Sequence, residues 1–242
     1  MEIMDNRYVN VDTTSVDGLS RAASLGLAES RLASLVTSSY LKEAGTLFDL
    51  RHQGRAFILL RNPVERAVSM YYHRIRGEAA DLDPDLSIED FAQGNGIENN
   101  WMTRFLVHAM EGELTKDHLE KAKEVLERKF LIGFLDDPKE TLHRLMRYFE
   151  WEYDPDDTAR MQQEDCVDDL LGDGRSNVNL DAGDYEVPKK GTQAYALIMW
   201  QTQFDIKLYD YARELFDQQT RYWGSKERKK EMKQKKKKQG GK

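Results

Sequence analysis

The 242 residues are 40% hydrophobic and carry a net charge of −7, a balance that suits a folded globular chain and excludes a wholly disordered one. Residues 226–242 hold ten Lys/Arg against two Glu, a local +8, so the remaining body stands at −15. A body that acidic excludes a general nucleic-acid surface, because phosphate binding needs a basic face and not merely a basic end. The single cysteine, Cys166, excludes an intramolecular disulfide and a cysteine-based zinc cluster. No run approaches the roughly 18 apolar residues of a membrane span, and the first thirty residues lack the layout of a signal peptide. His52, His73, His108, His118 and His143 share no ligand spacing on one helix face, so no metal is expected.

No repeat of solenoid period is present, and the organisation comes from alternating element types. Tyr8 to Val11 reads as a short strand, followed by a helix from Asp17 to about Glu29 and a second from about Ser39 to His52. Ala56 to Leu60 is a continuous apolar run, the pattern of a central strand buried on both faces of a parallel sheet. Pro63 then suits the first position of a helix, having a fixed φ and no amide to satisfy. That helix runs to about Arg76, with Val64, Ala67, Val68, Tyr71 and Ile75 as one apolar stripe and Arg66, Ser69 and His73 on a separate polar stripe. Helices are expected at Ser87 to Gln93, Asn99 to Met110 and Thr115 to Lys129, then a buried strand at Phe130 to Phe134. Asp137 and Pro138 can open the next helix, with Leu142, Leu145, Met146 and Phe149 inward. Asp154 to Lys190 is too long for a simple connection. Helices over Thr192 to Gln203 and Asp205 to Tyr222 close the domain, with Phe204, Leu208, Tyr211, Leu215 and Phe216 inward. Strands alternating with helices imply an α/β sheet covered on both faces.

In such sheets ligands bind beyond the carboxyl ends of strands, where a helix N-terminus offers free amides to an anion. Arg61 is at that place. Its guanidinium can hold a phosphate bidentately, and the Ser69 hydroxyl, about two turns into the helix, can donate to another phosphate oxygen. On pattern alone an arginine placed as Arg61 is more often a structural ion pair than a phosphate ligand.

The segment Phe57 to Tyr71, FILLRNPVERAVSMY, resembles the 3′-phosphate-binding motif of sulfotransferases that use 3′-phosphoadenosine 5′-phosphosulfate (PAPS). In that family the arginine opening the motif and the serine eight residues on bind the donor's 3′-phosphate, which the resemblance carries to Arg61 and Ser69. Asn100 to Leu106 (NWMTRFL), Phe130 to Phe134 and Phe204 to Phe216 are similar to segments of membrane-anchored carbohydrate sulfotransferases. The resemblance covers about Asn10 to Gln219. It implies a three-layer α/β fold of the P-loop-kinase-like kind with a central parallel sheet, PAPS as co-substrate, no metal, a carbohydrate or other hydroxyl acceptor, and a Golgi setting. The family's other donor motif, a Pro-Lys-x-Gly-Thr/Ser-Thr/Ser loop after a strand, is expected upstream of Tyr8 and does not occur in these residues, so the first strand and donor loop are expected to be missing. A Walker-type phosphate loop is also absent, which counts against a nucleotide hydrolase or kinase.

Further candidates have two readings each. Lys189 and Lys190, before Gly191, stand where the family has a basic loop folding over the donor, or form a solvated turn. Arg66 reinforces the phosphate pocket or pairs with Glu65 or Glu78. Arg104 faces the acceptor cleft or packs. Asp12 is a candidate general base or a turn cap, and the base stays unassigned. The expectation is one sulfotransferase-like domain over 1–225 and a disordered basic tail over 226–242, solvated or in contact with a polyanion. Its function is sulfuryl transfer from PAPS to a hydroxyl, the alternative being a 3′-phosphonucleotide-binding or interaction module.

Overall fold

The structure, a computed structural model, describes residues 2–3, 6–7, 10–76, 80–94, 96–149, 151 and 186–219. The chain divides into two compact units, Met1–Ala56 with His108–Met110, and Phe57–Val107 with Glu111–Lys242. Both are built mainly from helices.

In the first unit β1 (Glu2–Ile3) and β2 (Asn6–Arg7) pair antiparallel, Glu2 opposite Arg7. The strand expected at Tyr8 to Val11 is not found where it can be judged. Asn10 and Val11 are irregular, and Tyr8 and Val9 lie outside the described residues. Helix α1 (Val16–Ser24) starts at Ser15, whose hydroxyl accepts from the Gly18 amide, the usual way of satisfying a first-turn donor. Gly26, at φ +66°, then turns the chain into α2 (Leu27–Ser30), a left-handed position that glycine adopts without steric cost. Leu19, Ala22, Leu27 and Leu47 form the core of this unit. The second expected helix shrinks to α3 (Leu41–Gly45). The reason lies in Asp49, whose Oδ1 accepts from the amides of Arg51 (2.7 Å) and His52 (2.6 Å), a local turn that competes with helical bonding.

The second unit holds the parallel pair β3 (Ala56–Leu60) and β4 (Phe130–Phe134). The strands end side by side, the Leu135 amide donating to the Leu60 carbonyl at 3.0 Å. All five residues of β4 are buried. In β3 only Leu60 is buried and Leu59 is 45% exposed, which corrects the expectation of a strand covered on both faces. Among the described residues β3 pairs with β4 alone, so its apolar run has half the shelter a central strand would have. Gly133 keeps the pair close to α8 (Pro138–Phe149), since a Cβ there would stand 2.5 Å from Thr141 Cγ2 and 2.8 Å from Leu59 Cδ2.

The side of β4 away from β3 is closed by side chains. Gln219 donates from Nε2 to the Phe130 carbonyl (3.1 Å) and accepts the Ile132 amide at Oε1 (3.1 Å). Thr141 Oγ1 accepts from the Phe134 amide (2.8 Å) and donates to the Phe134 carbonyl (3.0 Å). Gln219 lies on a helix described over 203–219, labelled α10 below, that covers β4 through edge-on contacts of Phe134 with Tyr209 and Phe216.

Helix α4 (Pro63–Arg76) presents Val64, Ala67, Val68 and Ile75 inward as expected. The first three pack with Phe91 and Ala92 of α5 (Ile88–Gln93), with Ile97 and with Ile198 of α9 (Gln193–Gln201). Next come α6 (Trp101–Val107) and α7 (Lys116–Lys129), the latter entered through a capping box of Thr115 and His118. On α8 the buried residues are Thr141, Arg144 and Met146, while Leu142, Leu145 and Phe149 are half-buried. The inward face is thus rotated from the expected one. Arg144 can be buried because Nε donates to Glu140 (2.8 Å), Nη1 donates to the Phe216 carbonyl (2.6 Å), and the guanidinium carbon lies 3.2 Å from the centroid of the Phe216 ring. On α10, Leu208, Tyr209, Ala212, Leu215 and Phe216 are buried, with Phe204 and Tyr211 half-buried. Most of the segment Asp154 to Lys190, and the basic tail, lie outside the described residues. The architecture is mixed α/β, mostly helical, around a small two-stranded parallel sheet.

Candidate functional site

The carboxyl end of β3 leads in two residues to α4, and this junction carries the sequence-derived candidates. Arg61 follows the strand directly and is half-buried, its side chain 22% exposed. Its ionic partner among the described residues is Glu65, one helical turn on, with Nε 3.9 Å from Oε2. At that length the pair is a loose one, and the outer nitrogens of the guanidinium have no partner among the described residues. Ser69 is half-buried on α4, and its hydroxyl makes no hydrogen bond to another described residue.

The amides at the start of α4 are not free, contrary to the expectation. Asn62 Oδ1 accepts from the amides of Val64 (2.9 Å) and Glu65 (3.4 Å), and the Arg66 amide donates to the Asn62 carbonyl (2.8 Å). Pro63 has no amide to offer. Asn62 is therefore an N-cap, and the first turn of α4 does not present bare backbone donors to an anion.

Arg66 Nη2 donates to Glu98, and its guanidinium carbon lies 4.7 Å from the centroid of the Trp101 ring. Of its two readings the ion pair is found, with Glu98 and not Glu65, while Glu78 lies outside the described residues. Arg104 donates from Nε to the Asn99 carbonyl (2.9 Å) and from Nη2 to Asn99 Oδ1 (3.1 Å) and the Gly112 carbonyl (3.0 Å), which ties the two ends of α6 together. Lys189 and Lys190 are exposed. They precede Gly191 (φ +96°) and Thr192, whose hydroxyl caps α9 by accepting from the Tyr195 amide. Asp12, in the other unit, holds Thr14 through its amide (2.9 Å) and hydroxyl (2.6 Å). Those bonds keep its carboxyl below the usual carboxylate range, as a turn-forming side chain and a poor proton acceptor near neutral pH.

Two polar constellations were missed from sequence. The first is a reciprocal cap. Asp205 of α10, 1% exposed, accepts from the Met102 amide (2.9 Å), the Thr103 amide (2.7 Å) and the Thr103 hydroxyl (2.7 Å), holding the first turn of α6. Asn100, just before α6 at φ +50°, accepts in return from the amides of Phe204 (2.7 Å) and Asp205 (3.2 Å) at the first turn of α10. Burial pushes the Asp205 carboxyl upward against the pull of these donors. The residue types at the two helix starts were a signal. That each cap serves the other's helix was not.

The second constellation is past the end of β4. Asp136 accepts from the Tyr209 hydroxyl (3.2 Å) and from Arg213 Nη2, which also donates to the Tyr209 oxygen (2.8 Å). The Arg213 guanidinium lies over the Phe134 ring at 3.9 Å. Burial, with Asp136 beside it, pushes the Tyr209 hydroxyl up to about 12.

Among the described residues no group of three or more His, Cys, Asp or Glu side chains is arranged to hold a metal ion, and no helix is long and apolar enough to cross a membrane. Comparison with protein-family models, with curated proteins and with solved structures finds no match to this chain.

Proposed function

We propose that this chain is a sulfotransferase that moves a sulfuryl group from PAPS to a hydroxyl, of the carbohydrate class by resemblance, and that Arg61 and Ser69 take the donor's 3′-phosphate. One observation carries the reading. The segment whose sequence resembles the 3′-phosphate motif forms a strand, a two-residue turn and a capped helix, leaving a half-buried arginine at the strand end whose ionic partner among the described residues is a loose one. Ser69 follows on the same helix. A planar guanidinium can meet a phosphate with two parallel hydrogen bonds, which a lysine cannot do.

In the reaction an acceptor oxygen attacks sulfur, the sulfur–oxygen bond to the 5′-phosphate breaks, and adenosine 3′,5′-bisphosphate departs. The acceptor proton passes to a base. Positioning of the donor by its 3′-phosphate contributes to this step to the extent that it aligns sulfur with the attacking oxygen. The three-layer fold of the P-loop-kinase-like kind belongs to the same proposal, as do Lys189 and Lys190 as donor contacts.

The test is calorimetry with adenosine 3′,5′-bisphosphate and adenosine 5′-monophosphate. Loss of a charge-assisted phosphate contact in Arg61→Ala is expected to weaken the bisphosphate by about 10- to 100-fold, and Ser69→Ala by about 2- to 10-fold. The monophosphate, lacking the 3′ group, is expected to change little in either. Equal losses for both nucleotides, or none, remove the two residues from the site. A parallel assay follows labelled sulfate from PAPS to a panel of glycans, and nucleotide binding without transfer would leave a binding module.

A further inference from the structure

Arg66 stands three residues before Ser69 on α4, a spacing that makes the two neighbours on one helix face. Its guanidinium is already engaged, paired with Glu98 and set over Trp101. Trp101 is held in turn. Its ring stacks with Phe105 at 5.0 Å with 13° between the planes, and it opens α6, whose first turn is fixed by Asp205 from α10. Glu98 and Trp101 flank Asn99 and Asn100. Asn99 Nδ2 donates to the Gln201 carbonyl (3.0 Å), and Asn100 caps α10. The polar stripe of α4 is thus fastened, through one arginine, to a block of side chains drawn from three other segments of the same unit.

We infer that Arg66 is a positioning residue for the anion site and not a contact to the ligand. The apolar stripe of α4 holds that helix by side chains that can repack, whereas a guanidinium pinned between a carboxylate and an indole ring fixes the rotation of the helix about its own axis. Ser69 shares that face, so the pin sets where its hydroxyl stands relative to Arg61 at the strand end. A displacement of the order of 1 Å is enough to weaken a directional contact severely. The preference for a nucleotide with a 3′-phosphate therefore depends on Glu98 and Trp101, neither of which belongs to the phosphate motif. This inference rests on the reading of Arg61 and Ser69 given above.

The experiment measures affinities of the full chain for adenosine 3′,5′-bisphosphate and adenosine 5′-monophosphate by calorimetry, in the wild type and in Arg61→Ala, Glu98→Gln, Trp101→Leu and Arg66→Lys. Glu98→Gln and Trp101→Leu are each expected to lower the bisphosphate-to-monophosphate preference by about 2- to 5-fold, the size of one exposed ion pair or cation–π contact, with the monophosphate affinity unchanged. Arg66→Lys keeps the charge but not the flat face, and is expected to behave like Trp101→Leu. The Glu98 side chain is 43% exposed, so Glu98→Gln reports on the pin even if Trp101→Leu misfolds. A full preference in both Glu98→Gln and Trp101→Leu, with Arg61→Ala still abolishing it, overturns the positioning role alone. A loss confined to Arg66→Lys makes Arg66 a phosphate contact and overturns it too. A wild-type chain with no preference removes the reading of Arg61 and Ser69, and this inference with it.

Discussion

The Tyr209 hydroxyl is placed between opposite charges, donating to Asp136 and accepting from Arg213. Its proton is held up to about 12 by burial first and by Asp136 second, against about 10 for a free tyrosine. The folded chain therefore keeps a proton that the unfolded chain gives up between these values. Its contribution to stability is complete below about pH 10 and is lost as pH rises from there through about 12. Urea midpoints measured across that range are expected to fall more steeply in the wild type than in Tyr209→Phe. Tyr71 and Tyr211, also raised by burial, leave a residual slope in the variant. Equal slopes in the two proteins would mean that Tyr209 ionises without resistance. At this scale the sequence pointed well to residues whose chemistry is local. Pro63 and Pro138 open α4 and α8, the first helical positions read for them. It pointed poorly to partners distant in the chain, such as Glu98 for Arg66, because no spacing rule connects residues 32 positions apart.

Helices and strands with a full apolar period were readable within one or two residues, as α4, α7, β4 and α8 are. Where reading failed, polar side chains had redirected the backbone or the packing. Asp49 ended a helix early, and Arg144 took a buried place on α8 that Leu142 and Leu145 were expected to fill. The segments Asn100 to Leu106 and Phe204 to Phe216 were singled out for a resemblance, and the structure brings their starts together in the reciprocal cap. Removing one cap should injure the helix on the other side. Asp205→Ala leaves the Met102 and Thr103 amides unmet in a buried place, a loss of at least about 2 kcal/mol from the cap and the stranded donors together. Amide hydrogen exchange is expected to quicken at Met102 and Thr103 in α6 more than anywhere in α10. Protection lost evenly across both helices would argue that Asp205 acts through general packing instead.

At the scale of the molecule, charge is segregated, with −15 on the body and +8 on the last seventeen residues. An anionic ligand such as the proposed nucleotide would therefore approach a repelling surface, and on that proposal its hold depends on Arg61 more than on any general attraction. The sheet is segregated as well. β4 is buried and closed along one side, and β3 is partly exposed with no other strand beside it among the described residues. The apolar character of β3 was legible. Its exposure was not, because a run of apolar residues reports what a strand prefers and not how many neighbours it has.

The amide of Gln219 bonds to β4 as one peptide unit of an adjacent strand would, and this gives its turn of α10 a second task, that of a stopper against polymerisation. A five-residue strand of Phe, Leu, Ile, Gly and Phe has the composition of a fibre seed once its side is bared. In Gln219→Leu the bulk is retained but the Phe130 carbonyl and Ile132 amide lose their partner, so each local opening of the helix there offers β4 to another chain. Thioflavin fluorescence and light scattering are expected to rise in that variant at temperatures below its own melting midpoint, while the wild type stays clear. A variant that melts early without scattering would show that the glutamine holds the helix in place but guards nothing.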